Sequence, residues 1–294
     1  VNIYETITDR IITTLETGVI PWRKEWKAGS DGFGALPVNF STKKPYRGIN
    51  VLTLLCSGYS SRYWMTYNQA KELGGNVRKG EKASPVVFWK FSKKEDSQAG
   101  ESKEFAFAKQ YSVFNLEQID GIQPALPFEV PAFDVIDTAA AIADVYMVSA
   151  NHPTLGHGGG KAYYQPSSDH VQMPPQTAFT TSAAYYSTLF HEFAHSTGHT
   201  SRLDRAELKK LAAFGDEEYS KEELTAEFTA AFLCAEAGCA NDALLTNAAA
   251  YIQGWMRSLK NDKTLAISAA QKAQKAADYI TQRKPAATSE EVAA

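Results

Sequence analysis

The chain has 294 residues and a formal net charge of −3; 44% of its residues are apolar and 21% charged. This is an ordinary globular composition, long enough for two domains with sizeable cores. No run of 18 apolar residues is present to span a membrane, and residues 1–5 lack the basic and apolar segments of a signal peptide. Cys56, Cys234 and Cys239 show no C-x-x-C spacing and are expected to be reduced thiols of a cytoplasmic protein.

The charge is unevenly spread. Residues 1–125 carry 17 lysines and arginines against 13 acids, and the remainder carries 13 against 20. Trp22, Trp26, Trp64 and Trp89, four of the five tryptophans, fall in the first segment. A mildly basic, aromatic-rich half joined to an acidic half predicts an α+β chain of two domains with different jobs.

Residues 2–17 repeat Ile3, Ile7, Ile11, Ile12 and Leu15 at helical spacing, an amphipathic helix that Gly18 ends. Basic and aromatic residues then interleave. Pro21 opens a loop with Trp22, Arg23, Lys24 and Trp26, followed by a glycine-rich turn at 29–34. Lys43, Lys44, Tyr46 and Arg47 lead into an apolar helix over 50–56. Residues 63–67 read as a strand. Thr66 or Asn68 opens a helix over 69–73, and Gly74-Gly75-Asn76 is a turn. Arg78, Lys79 and Lys82 form a charged loop before a strand at 86–91. A strand at 105–114 pairs back on it, with 93–103 as a mobile hairpin tip. Single-stranded nucleic acid is held by a basic groove and by rings on which bases stack. The basic and aromatic residues named from Trp22 to Lys82 in these loops are therefore the DNA-binding candidates. Against this, tryptophan and tyrosine are usually core, and lysine is usually just solvated.

Pro124, Pro127 and Pro131 mark a linker at 124–133 between a domain over 1–123 and a second over 134–284. In the second domain, a helix runs over 137–148 and Asn151-His152-Pro153 stops it. Strands follow at 161–165 and 169–173. Extended peptide can add as a further strand to an exposed sheet edge, and one of these strands is placed to take it. His152, His157 and His170 stand alone and are not expected to bind metal.

Next comes Phe190-His191-Glu192-Phe193-Ala194-His195, an H-E-x-x-H motif. On a helix, positions i and i+4 lie about 40° apart, so both imidazoles reach one metal ion. Glu192 lies about 100° from His191 and reaches a water at that ion without being a ligand. Thr181 and Ser182 are good N-caps for this helix, and Gly198 a natural stop. Zinc is the default for two histidines with a carboxylate base, and another divalent transition metal such as Mn2+ is an alternative in vitro.

A catalytic zinc takes a third protein ligand. The metzincin third histidine would fall at position 201, which is Ser201, and His199 lies beyond the helix stop. Downstream, a helix over 220–233, capped at Ser220, carries Glu222, Glu223 and Glu227, with small Ala226 and Ala230 beside Glu223 and Glu227. The pattern E-x-x-A-[acidic]-x-x-A resembles the second zinc helix of gluzincin-type peptidases. That resemblance implies Glu223 as ligand and Glu227 as the hydrogen-bond partner of the first histidine. A short helix is expected near 206–213, others over 242–259 and 264–283, and residues 285–294 read as a disordered tail.

Taken together, the chain resembles the plasmid antirestriction ArdC family. The N-terminal likeness rests on Asn2-Ile3-Tyr4-Glu5, on 18–23, on Lys44-Pro45-Tyr46-Arg47-Gly48-Ile49-Asn50, on 63–70 and on 77–82. The C-terminal likeness rests on His191 to His195, on Thr197-Gly198-His199 through Arg202-Leu203, and on Glu223 to Glu227. It implies an N-terminal single-stranded-DNA-binding domain and a C-terminal, mainly helical zincin-like metallopeptidase domain with a small sheet. It also implies protection of incoming plasmid DNA, as in conjugation, from restriction in a bacterial cytoplasm.

Two functional expectations follow. In one, Glu192 is the general base of a zinc peptidase acting on a host restriction enzyme or another protein, and Tyr219, His199 or the Tyr163-Tyr164 pair stabilises the oxyanion. In the other, the chain is a DNA- or restriction-enzyme-binding protein whose zinc domain is a silent scaffold. A nuclease fits less well, because nuclease metal sites favour carboxylate clusters.

Overall fold

A computed structural model describes residues 3–17, 20, 36–59, 61–95, 102–123, 135–179, 181–209, 217–239 and 248–283. In chain order the elements are α1 (Ile3–Glu16), β1 (Val38–Asn39), α2 (Ile49–Leu55), β2 (Tyr63–Thr66), α3 (Tyr67–Glu72), β3 (Asn76–Val77), β4 (Ser84–Glu95), β5 (Ser102–Asn115), β6 (Ile119–Asp120) and α4 (Val135–Met147). Then come β7 (Thr154–His157), β8 (Tyr163–Gln165), β9 (His170–Met173), α5 (Ser182–Thr197), α6 (Ala206–Lys209), α7 (Glu217–Ala237), α8 (Ala248–Asn261) and α9 (Leu265–Ile280). The architecture is α+β, in two compact units, 37–124 with 285–294 and 1–36 with 125–284. The linker at 124–133, the tail and residues 21–35 and 96–101 lie outside the described residues, while 93–95 and 102–103, expected within a hairpin tip, belong to β4 and β5.

The first unit is a four-stranded sheet in the order β1-β2-β5-β4, parallel at β1-β2 and antiparallel elsewhere, with a small β3-β6 pair beside it. Thr66 caps α3 through a reciprocal pair with Gln69, so the strand turns into the helix without a linker. Asn50 on α2 donates to the Val87 carbonyl at 2.8 Å and accepts the Val87 N–H at 2.7 Å. A side chain thus closes the edge of β4 that no other described strand covers. The core beneath α2 holds Tyr46, Leu54, Trp64, Val86 and Val113.

The second unit is built around α7. Leu224, Ala226, Phe228, Ala230, Ala231, Phe232 and Leu233 are all buried, and α4, α5, α8 and α9 pack around the helix. A helix covered on every side shows no amphipathic stripe. It also buries Glu222, Glu223 and Glu227, whose charges must be met inside the protein. The helix starts at Glu217, so Ser220 is a buried residue within its first turns and not its cap. Strands β7, β9 and β8 form a sheet in that order, β7 parallel and β8 antiparallel to β9. Strand β7 was not expected from sequence: it is four residues long and runs straight into Gly158-Gly159-Gly160.

Helix α1 packs on α8 and α9. Ile7, Ile11, Ile12 and Leu15 are buried there, Thr8 Oγ1 donates to the Lys263 carbonyl at 2.7 Å, and Lys260 pairs with Glu16 at 2.8 Å. The sequence reading places this helix in a domain over 1–123. The structure groups it with the helical unit because that unit offers its apolar stripe a partner. No helix among the described residues is long and apolar enough to cross a membrane.

Candidate metal centre

Thr181 Oγ1 accepts the Ala184 N–H at 3.0 Å and starts α5; Gly198 ends it. Leu189, Phe190, Phe193 and Ala194 are buried, which fixes the rotation of the helix. His191 and His195 then meet α7. His191 Nε2 lies 3.5 Å from Glu223 Oε2, and His195 Nε2 lies 3.5 Å from Glu223 Oε1. The two Nε2 atoms are 3.1 Å apart. One donor atom from each of the three residues falls within 4.8 Å of the others.

The far side of each imidazole also meets a carboxylate. His191 Nδ1 lies 3.3 Å from Glu227 Oε1, and His195 Nδ1 lies 3.2 Å from Glu222 Oε1. This carboxylate–histidine arrangement orients metal-binding imidazoles and raises their basicity. Two imidazoles and one carboxylate converging on one point are a donor set that would suit a divalent transition ion such as zinc. Glu222 and its partner Arg205 are the residues that sequence reasoning missed. A two-glutamate step on a helix buried all round was the available signal.

The electrostatics agree with a cation site. Burial would push the Glu223 carboxyl up, but His195 and His191 hold it far below the usual carboxylate range. Burial would lower both histidines, but Glu223 and Glu222 lift His195 to about 9, and Glu223 and Glu227 lift His191 well above its usual value. Glu222 is pushed up by burial and brought below normal by the Arg205 charge and by His195. Buried negative charge that attracts protons this strongly attracts a divalent ion as well. Glu192 differs: burial dominates and raises its carboxyl. Strand β8, which packs on α5, lies at one edge of the small sheet.

Other expected residues lie elsewhere. His199 Nδ1 is 2.9 Å from Ser201 Oγ. The Tyr164 hydroxyl donates to Asp169 Oδ1 at 2.8 Å, so it is committed away from an oxyanion, while Tyr163 is exposed. Of the DNA-binding candidates, Trp22, Arg23, Lys24 and Trp26 lie outside the described residues. Tyr46 is a correction: it is 2% exposed, packed in the core with its hydroxyl 3.3 Å from Asn39 Nδ2, and burial pushes that hydroxyl up to about 12. A ring so enclosed offers no face to a base. Lys43, Lys44, Lys79 and Lys82 are exposed and Arg47 half-buried. Lys43 Nζ sits 3.9 Å above the Phe40 ring. Arg78 is exposed but shared with Glu81 and Asp120 at 2.9 and 3.3 Å.

Residues 1–114 match the N-terminal domain of anti-restriction factor ArdC, and residues 143–272 match a zincin-like metallopeptidase family. The crystal structure of antirestriction ArdC protein from the R388 plasmid, metal-free, is 40% identical and superposes with a TM-score of 0.75 over 96% of this chain and 97% of that one. Its Mn(II)-bound form is 39% identical, with a TM-score of 0.72 over 96% and 98%. The uncharacterized protein y4eC of Sinorhizobium fredii is 36% identical over 302 residues, 99% of this chain and 95% of that protein. A DNA primase TraC of Escherichia coli is 36% identical over 295 residues, which are 94% of this chain but 20% of the primase. With both halves matched and the R388 protein covered almost end to end, the chain belongs to the ArdC antirestriction family.

Proposed function

We propose that this chain binds single-stranded DNA, protects incoming plasmid DNA from restriction in the bacterial cytoplasm, and carries a zinc-dependent peptidase centre. The observation that carries the peptidase reading is the convergence of His191, His195 and Glu223, with Glu192 on the helix turn between the histidines. Mn(II), bound by the R388 relative, suits the same donors.

Zinc, when bound, supplies Lewis acidity toward water and a peptide carbonyl. Glu192 takes the proton from the attacking water and passes it to the leaving amine. Burial brings its carboxyl closer to neutrality, where such a shuttle works best. Strand β8 packs on α5, and its outer edge offers backbone groups to an extended peptide. The substrate is a host restriction enzyme or another protein that meets the DNA. A second reading, a DNA- or restriction-enzyme-binding protein with a scaffold metal domain, is favoured by the match to one part of a DNA primase.

The deciding experiment is an antirestriction assay in cells with wild type and Glu192→Ala, the variant checked for fold and zinc content. Loss of protection in a folded, zinc-loaded variant supports the peptidase. Full protection sinks it and leaves the binding reading.

A further inference from the structure

Arg205 lies under the C-terminal end of α5. Its Nε donates to Glu222 Oε2 at 2.9 Å and its Nη2 to Oε1 at 2.5 Å. Nη1 donates to Thr197 Oγ1 at 2.7 Å, and Nη2 to the Ala194 carbonyl at 2.7 Å. The Arg205 side chain is 5% exposed and that of Glu222 1%. One guanidinium therefore neutralises a buried carboxylate and also satisfies carbonyls at the negative end of a helix.

Gly198 makes room for it. Its φ is −76°, which any residue adopts, so the backbone does not demand glycine. A Cβ at 198 would instead lie 2.9 Å from Arg205 Nη2, 3.0 Å from Cζ and 3.1 Å from Nε. An arginine tip usually swings aside at little cost. This one is buried and fixed by charged and neutral partners, so moving it breaks those bonds.

We propose that Gly198, Arg205 and Glu222 form a buried positioning relay for the metal centre. Gly198 admits the guanidinium, the guanidinium fixes Glu222, and Glu222 Oε1, 3.2 Å from His195 Nδ1, aims His195 Nε2 at the point shared with His191 and Glu223. None of the three belongs to the group of His191, His195 and Glu223 that would hold the ion. The inference rests on the metal reading above and extends it by three residues that act through His195.

The test uses the full chain: wild type, Gly198→Ala, Arg205→Ala, Arg205→Lys, Glu222→Gln and the Gly198→Ala/Arg205→Ala double variant. Zinc affinity is measured by competition with a chromophoric chelator, ligand geometry by the visible spectrum of the cobalt(II)-loaded protein, and melting in chelator separately. Each single variant is expected to bind zinc about 10- to 100-fold more weakly and to shift the cobalt spectrum. Arg205→Lys should not rescue, because an ammonium lacks the two-pronged fork. The double variant should be no weaker than Arg205→Ala, since glycine acts only through the guanidinium. A purely structural role would lower melting and leave the affinity and the spectrum in place. Zinc affinity within twofold of wild type in Glu222→Gln, which is isosteric, or additive losses in the double variant, overturn the relay alone. A wild type that binds neither zinc nor Mn(II) overturns the metal reading and the relay with it.

Discussion

Glu192 is buried next to His191, whose charge opposes the rise that burial imposes on the Glu192 carboxyl. Glu192→Gln keeps the shape and the hydrogen-bond acceptor but cannot take a proton. Zinc content should be unchanged, and hydrolysis of a quenched-fluorescence peptide library should fall about 10²- to 10⁴-fold. Turnover within a few-fold of wild type would exclude Glu192 as the base.

Arg202 grips Asp169 with two nitrogens, donates Nε to the Ser196 carbonyl at 2.7 Å, and has a side chain only 1% exposed. It binds the β8–β9 turn to the end of α5. Arg202→Met leaves Asp169 with part of its charge unmet and should destabilise the protein by about 3 kcal/mol in urea denaturation. A loss below about 0.5 kcal/mol would place the pair among ordinary surface contacts.

The metal-free protein should show a pH window. His195 is raised to about 9, so its contribution is fully present below the unfolded histidine value and lost as pH rises through 9. Glu223 is lowered, so its contribution is present above the unfolded glutamate value and lost in strong acid. Stability in chelator should therefore fall from pH 7 to 10, while zinc affinity climbs over the same range as the imidazoles shed protons. Calorimetry in buffers of different ionisation enthalpy should register proton release on zinc binding at pH 7. Zinc uptake without proton release contradicts the assignment.

Lys79 and Lys82 are exposed on the loop before β4. If they neutralise phosphates, Lys79→Glu/Lys82→Glu should weaken single-stranded DNA binding and flatten the slope of log K against log salt by about 1.4. Tyr46→Phe is the matched control. It should reduce stability by about 1 kcal/mol through the lost Asn39 contact and leave DNA affinity unchanged.

Asn50→Ala should be more damaging than its small size suggests. It leaves a buried N–H and carbonyl of Val87 without their partner, about 2–4 kcal/mol by chemical denaturation. Asn50→Asp, which can accept but not donate, should recover part of the loss.

What the sequence made legible was local. Thr181, His191, Glu192, His195 and Gly198 fall within one helix, where spacing fixes geometry. Glu223 was reachable by pattern, since Glu223 and Glu227 lie one turn apart. Glu222 was passed over because the zinc-helix pattern counts from Glu223, and only the fold brings Glu222 to the far side of His195. Arg205 was invisible for the same reason: its carboxylate partner lies seventeen positions downstream. Tyr46 misled because a basic, aromatic stretch reads alike whether its ring faces solvent or core. The packing of α1 depended on helices more than 230 residues away, beyond any periodicity argument.

That last contact constrains how the protein is made. Thr8 meets Lys263 across 255 positions, so α1 leaves the ribosome long before α8 and α9 exist to receive it. The sheet of residues 37–124 pairs within itself and can form during synthesis. The helical unit closes only when translation has passed α9. Until then the stripe of Ile7, Ile11, Ile12 and Leu15 stays uncovered, a site for chaperone capture on the nascent chain.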